Sequence, residues 1–229
     1  MSFPMIKIHF QDRSEFSIEF DSLKISNTPI PFWASFENMP CPGNVKHGPE
    51  IDYCRLSVEI ETLIHYFSDI KSIEKGTLKI LKSETLQLKI DNDAQNLFFQ
   101  AVWFILLNSQ CSIFKFNQWA RGNYLPSTDP KRMYYTLFSI FLIEHYFTAS
   151  EKLPDIEKFK SELLMLRITL KNLLSRIRKG RKTKSDSVNN GIALFDTLLI
   201  HLLELINVEG QHSGLAETIK KGSVLTHWV

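Results

Sequence analysis

Apolar residues change their spacing near Asp93. Before it they alternate at period 2, with proline and glycine frequent; after it they recur at steps of three and four almost to the end. The first pattern is that of half-buried strands and the second that of helices. The chain therefore reads as α+β: a small β-hairpin-containing N-terminal part (1–92) packed on a mainly helical bundle (93–229) that ends in a long antiparallel helical hairpin (154–208). Its 229 residues fit one large or two small domains.

Within the first part, Ile6, Ile8 and Phe10 alternate with polar residues, as do Phe16, Ile18 and Phe20 across the polar stretch 11–14. That is a β-hairpin with one buried face. Leu78 and Ile80, followed by Leu86, Leu88 and Ile90, make a second. Between the hairpins, residues 52–67 fit both periods. Helix is favoured there because no turn residue interrupts them. The stretch 27–50 is a long irregular loop with five prolines, Gly43, Gly48 and the aromatics Phe32, Trp33 and Phe36. Ordered loops of this length are often functional. Its aromatics suit a partner contact or a plug at the edge of the domain.

In the second part, Asp93 is a good N-cap for a helix running to about Asn108. Asp129-Pro130 opens another helix, and Pro154 the longest. Ile156, Phe159, Leu163, Leu166, Leu170, Leu173 and Ile177 follow one another at heptad steps, and so do Val188, Ile192, Phe195, Leu199, Leu202 and Ile206. This seam fits an intramolecular hairpin and a dimer equally.

Charge is distributed unevenly. Residues 1–93 carry ten basic and fourteen acidic side chains; residues 94–229 carry seventeen and eleven. From Leu163 to Ser185 there are eight basic residues and no acidic one. The expected hairpin tip (176–184) contains Arg176, Arg178, Lys179, Arg181, Lys182 and Lys184. Such a tip suits an acidic protein partner, phosphates of a nucleic acid, an anionic membrane surface, or simply solvent.

The three cysteines argue against a secreted disulfide scaffold. Cys41, His47, Cys54 and Cys111 are the residue types of a tetrahedral zinc site, although no CxxC pair is present. The other reading is that the thiols are ordinary small apolar residues, with a redox role as a third. Glu144-His145 and the set Asp196, His201 and Glu204 offer acid–base groups. No phosphate-binding glycine loop accompanies them. The N-terminus lacks a basic segment followed by an apolar run, and the most apolar stretches, Met133–Ile143 and Ile192–Val208, are too short or too charged to span a bilayer. A cytoplasmic protein without an integral membrane segment is the expectation.

From Pro31 to Phe147 the chain resembles a family of uncharacterised bacterial proteins. The resemblance rests on Pro31-Phe32-Trp33, Asn38 with Cys41-Pro42, Tyr53-Cys54, Ser109-Gln110-Cys111, Trp119-Ala120-Arg121, Tyr124-Leu125-Pro126, Met133-Tyr134-Tyr135 and Glu144-His145-Tyr146-Phe147. The family has a further cysteine three residues before the Cys-Pro pair. Here Asn38 stands there, so a four-cysteine site would be incomplete. The family implies no activity. In size and composition the chain also resembles an accessory subunit of a bacterial secretion coupling complex. The function expected is non-enzymatic: an adaptor or accessory subunit that binds protein partners through Phe32, Trp33, Phe36 and the basic tip. The alternatives are a nucleic-acid-binding protein and a zinc- or thiol-site protein.

Overall fold

A computed structural model describes residues 5–19, 30–38, 40–41, 52–81, 83, 87–108, 129–148, 156–180 and 185–211. Its strands are β1 (Met5–Phe10), β2 (Phe16–Glu19), β3 (Lys75–Leu81) and β4 (Gln87–Asp93). The two hairpins expected from the sequence merge: β1 and β3 pair antiparallel, giving one four-stranded sheet in the order β2-β1-β3-β4. A lone hairpin is marginal in water. Joined, the two present Ile6, Ile8, Phe10, Ile18, Leu78 and Ile80 as one buried face. Gly76 stands opposite Phe10 in the β1–β3 register. A Cβ there would lie 2.6 Å from the Phe10 ring and 2.9 Å from the His9 carbonyl oxygen, so the pairing needs glycine.

Five helices are described: α1 (Arg55–Phe67), α2 (Ala94–Asn108), α3 (Pro130–Thr148), α4 (Ile156–Gly180) and α5 (Asp186–Gln211). The ambiguous segment 52–67 is helical from Arg55 onward, because Leu56, Ile60, Leu63, Ile64 and Phe67 share one buried side, while 52–54 lie ahead of the helix. At the other boundary, Asp93 Oδ1 accepts the Asn96 backbone N–H at 3.1 Å, an N-cap that starts α2 directly where β4 stops. Asp129 Oδ1 accepts the Arg132 N–H in the same manner at the start of α3.

Phenylalanine builds the core. Phe67 meets Phe10 edge-on at 5.6 Å and Phe98 at 5.3 Å, which ties sheet, α1 and α2 together. Phe195 of α5 packs on Phe99 at 4.5 Å and on Trp103 at 6.0 Å. Phe159 of α4 sits between Phe138 and Phe141 of α3, 5.2 and 5.0 Å away. One apolar cluster thus draws on both sides of Asp93.

The α4–α5 pair does not project from the body as a free hairpin. Val188, Ile192 and Phe195 are buried, and α5 packs chiefly on α2. Gly191 lets it approach, since a Cβ there would lie 2.6 Å from the Phe98 ring. The start of α5 is pinned as well: the Ser185 and Ser187 hydroxyls reach the Phe67 carbonyl oxygen at 2.8 and 3.1 Å. Of the heptad positions whose side chains are described, Phe159, Leu170, Leu173 and Ile177 on α4 and Val188, Ile192 and Phe195 on α5 are all buried, and α5 also contacts α3 and α4. Among the described residues no helix is long and apolar enough to cross a membrane.

Candidate functional site

Residues 33–35 and Pro40 are held to the last turns of α4 by Arg176 and Asn172, and Tyr53 pairs with this loop at Ser35. Phe32–Ala34 form a 3-10 turn that follows Pro31, whose fixed φ suits a turn entry. The Asn38 side-chain amide closes the turn by donating to the Phe32 carbonyl at 2.9 Å. Ser35 and Tyr53 form an antiparallel bridge, with Phe36 N–H on the Asp52 carbonyl and Cys54 N–H on the Ala34 carbonyl, each at 2.8 Å. Consecutive aromatics on this turn have opposite fates. Trp33 is 5% exposed, and its indole N–H donates to Glu61 Oε2 at 3.1 Å; Phe32 is 77% exposed. Glu61 also meets the His65 imidazole at 3.2 Å, one turn along α1.

Arg176 fastens this loop. Its Nη1 donates to the carbonyl oxygens of Trp33, Ala34 and Ser35 at 3.3, 3.3 and 3.1 Å, and its Nε to Asn172 Oδ1 at 3.0 Å. The guanidinium carbon lies 5.6 Å from the centre of the Phe36 ring, within cation–π range. Asn172 in turn donates to the Pro40 carbonyl at 3.4 Å. Irregular buried backbone leaves carbonyls without a ladder partner, and a guanidinium is the side chain with donors enough for several at once.

The reading of Arg176 as part of a solvent-facing tip is therefore corrected: it is 3% exposed. It neighbours Ile177 on the buried stripe of α4, and burial pulls its pKa below the usual arginine value, with the nearby Cys54 and Cys41 acting in the opposite sense. Trp33 and Phe36 are likewise parts of the loop's attachment; Phe32 alone of the three stands out into solvent. Arg178 is exposed and pairs with Asp196 at 2.9 Å. Arg181, Lys182 and Lys184 lie outside the described residues, as does the side chain of Lys179.

Cys41 and Cys54 are both half-buried. Cys54 occupies the N-cap position of α1 and makes no side-chain capping bond there. His47 and Cys111 lie outside the described residues, so half of the zinc set does too. Among the described residues no group of three or more His, Cys, Asp or Glu could hold a metal ion. The Glu144 and His145 side chains are outside them also. Asp196 is engaged by Arg178, while His201 and Glu204 are exposed on α5.

A second feature lies on the open face of the sheet, where a groove of about 490 Å³ is lined by His9, Arg13, Glu15, Thr77, Lys79 and Lys89. The register places Lys7 directly opposite Lys79, and Lys79 directly opposite Lys89. Three lysines thus form one row across three neighbouring strands. Lys7 pairs with Glu15 at 2.8 Å and Lys89 with Asp91 at 2.9 Å. Lys79, between them, forms no ion pair among the described residues. Like charges facing each other on adjacent strands cost a few tenths of a kcal/mol to about 1 kcal/mol. Sequence reasoning missed this row. Each lysine reads as an ordinary polar position on its own strand, and only the β1–β3 pairing, which joins residues about seventy apart, aligns them.

The chain matches no family model, no curated protein and no solved structure, so the likeness drawn over 31–147 rests on its motif residues alone.

Proposed function

We propose that this chain is a non-catalytic protein-binding subunit and that Phe32 is the anchor of its contact surface. The observation that carries the reading is the contrast within one turn. Trp33 and the carbonyls of residues 33–35 are tied down by Glu61 and Arg176, while Phe32 is held out in water. Leaving a phenylalanine in solvent forgoes about 1.5–3 kcal/mol of burial, which a partner's apolar pocket restores. A rigid pedestal lowers the ordering cost of that contact. Large aromatics in such positions dominate interface energies. Ile30, 47% exposed and two residues earlier, widens the apolar patch.

The test is site-specific photo-crosslinking in the source cells. A benzophenone amino acid replaces Phe32 in one strain and Ile73, exposed on the turn before β3, in another. A defined protein adduct from position 32, absent from position 73, with co-purification of that protein lost in Phe32→Ala, supports the reading. Equal adducts from both positions, or none from position 32, defeats it.

A further inference from the structure

We propose that the open face of the sheet is a binding site for a compact chain of linked phosphates, gripped by the row Lys7–Lys79–Lys89 with His9 and Arg13 beside it. The inference is independent of the Phe32 surface. Strands lie about 4.8 Å apart, so the outer lysines of the row are rooted about 10 Å from each other. Like charges set opposite one another work against the fold, and an anion lying across the row removes that opposition. Lys79 is the pivot. Its neighbours Lys7 and Lys89 are each drawn to a carboxylate on its own side, Glu15 and Asp91. Lys79 is left with an ammonium on either flank and also feels the Glu15 carboxylate, which lines the same groove.

An open groove on this face takes in Lys79 and Lys89 with His9, Arg13, Thr77 and the carboxylate of Glu15, while Lys7 is not among its lining residues. A single phosphate would draw the outer lysines inward, whereas two or three linked phosphates meet all three along the row. The ligand is read by charge and not by a base. Lys7, His9, Ser17, Thr77, Lys79, Lys89 and Asp91 occupy this face, where the lysines and the Ser17 hydroxyl are donors and no phenyl or indole platform stands among them for single-stranded nucleic acid to stack on. Thr77 already donates to Asp91 at 2.5 Å, so its hydroxyl oxygen remains an acceptor and the lysines provide the phosphate contacts.

Isothermal titration of the full chain with inorganic tripolyphosphate, at about 50 and about 200 mM salt, reads the site. Saturable one-site binding is expected, weakened by the added salt. Lys79→Gln should weaken it at least tenfold, and Lys7→Gln or Lys89→Gln severalfold. Lys171→Gln, an exposed lysine on α4, should leave it unchanged. A thermal melt of Lys79→Gln confirms that the variant is folded. Orthophosphate should bind at least tenfold more weakly than tripolyphosphate. ATP in a parallel arm separates the sources: affinity equal to tripolyphosphate means that inorganic and nucleotide phosphates are read alike, and clearly tighter binding of ATP would show that the nucleoside is read and overturn the charge-only site. Absence of binding, equal affinity in folded Lys79→Gln, or tighter binding of an oligothymidylate or an oligoglutamate would each overturn the proposal.

Discussion

Arg176 and Cys54 donate to the same acceptor: the side chain of one and the backbone N–H of the other both reach the Ala34 carbonyl oxygen, at 3.3 and 2.8 Å. That single oxygen joins the end of α4 to the start of α1. Through Asn172 the same cluster extends to Pro40, so one buried guanidinium organises backbone separated by about 140 residues in sequence.

Replacing Arg176 by Met keeps most of the apolar stem and removes every donor. Three carbonyls then lose a charged partner in a buried setting, and the relief of desolvating the cation offsets only part of the loss. We expect a stability loss of about 2 kcal/mol. Arg178→Met removes only the exposed pair with Asp196, which contributes below about 1 kcal/mol. Urea unfolding followed by tryptophan fluorescence checks both. A midpoint for Arg176→Met no lower than that for Arg178→Met would contradict the clamp.

Gly76→Ala tests the sheet. The added methyl would meet the Phe10 ring at 2.6 Å and the His9 carbonyl oxygen at 2.9 Å. Phe10 is locked between Tyr66 and Phe67, so it cannot turn aside without disturbing the core. Overpacking of this kind costs about 1–3 kcal/mol. A lowered melting temperature is expected, restored in part when Phe10→Leu is added to make room. A single mutant as stable as the wild type would mean that the β1–β3 register is not the one described.

The strand and helix patterns were legible from spacing because burial on one side leaves a period in the sequence. The caps at Asp93 and Asp129 were legible because capping is local. Arg176 was misread for a physical reason. It sits within a run of basic residues, and composition carries no record of which member of the run turns inward to answer three carbonyls from a distant loop. The likeness of Phe32, Trp33 and Phe36 as neighbouring aromatics likewise hid their different exposures. The lysine row depends on a long-range register, which period-2 alternation leaves undetermined.

Acid sensitivity follows from Lys7 and Glu15. The hydrogen bond from Lys7 holds the Glu15 carboxyl below its ordinary value of 4.5. A carboxyl whose pKa is depressed by folding adds stability above its unfolded value, and that stability is lost as pH falls through the folded value. Glu15→Gln should therefore be less stable than wild type near neutral pH, and the gap should close as pH falls from about 4.5 through the depressed folded value. With side-chain exposures of 33% and 40% the pair is screened by solvent, so the difference stays below about 1 kcal/mol. Urea midpoints of both proteins across that pH range decide it; a gap that widens in acid would reverse the assigned sign.

Lys79→Gln should make the free protein more stable, an unusual outcome for a substitution in a central strand. The glutamine keeps the length and polarity that this open face requires, and it removes an ammonium flanked on both sides by others. Each relieved opposition is worth a few tenths of a kcal/mol, and the Glu15 carboxylate, which Lys79 also attracts, gives part of that back. Screening sets the control. At about 1 M salt the Debye length falls to about 3 Å and the advantage of the variant should shrink toward zero. Thermal melts of both proteins at low and high salt are sufficient. A variant less stable than wild type at low salt would show that Lys79 is held by attraction to Glu15, and that the row carries no opposition for an anion to relieve.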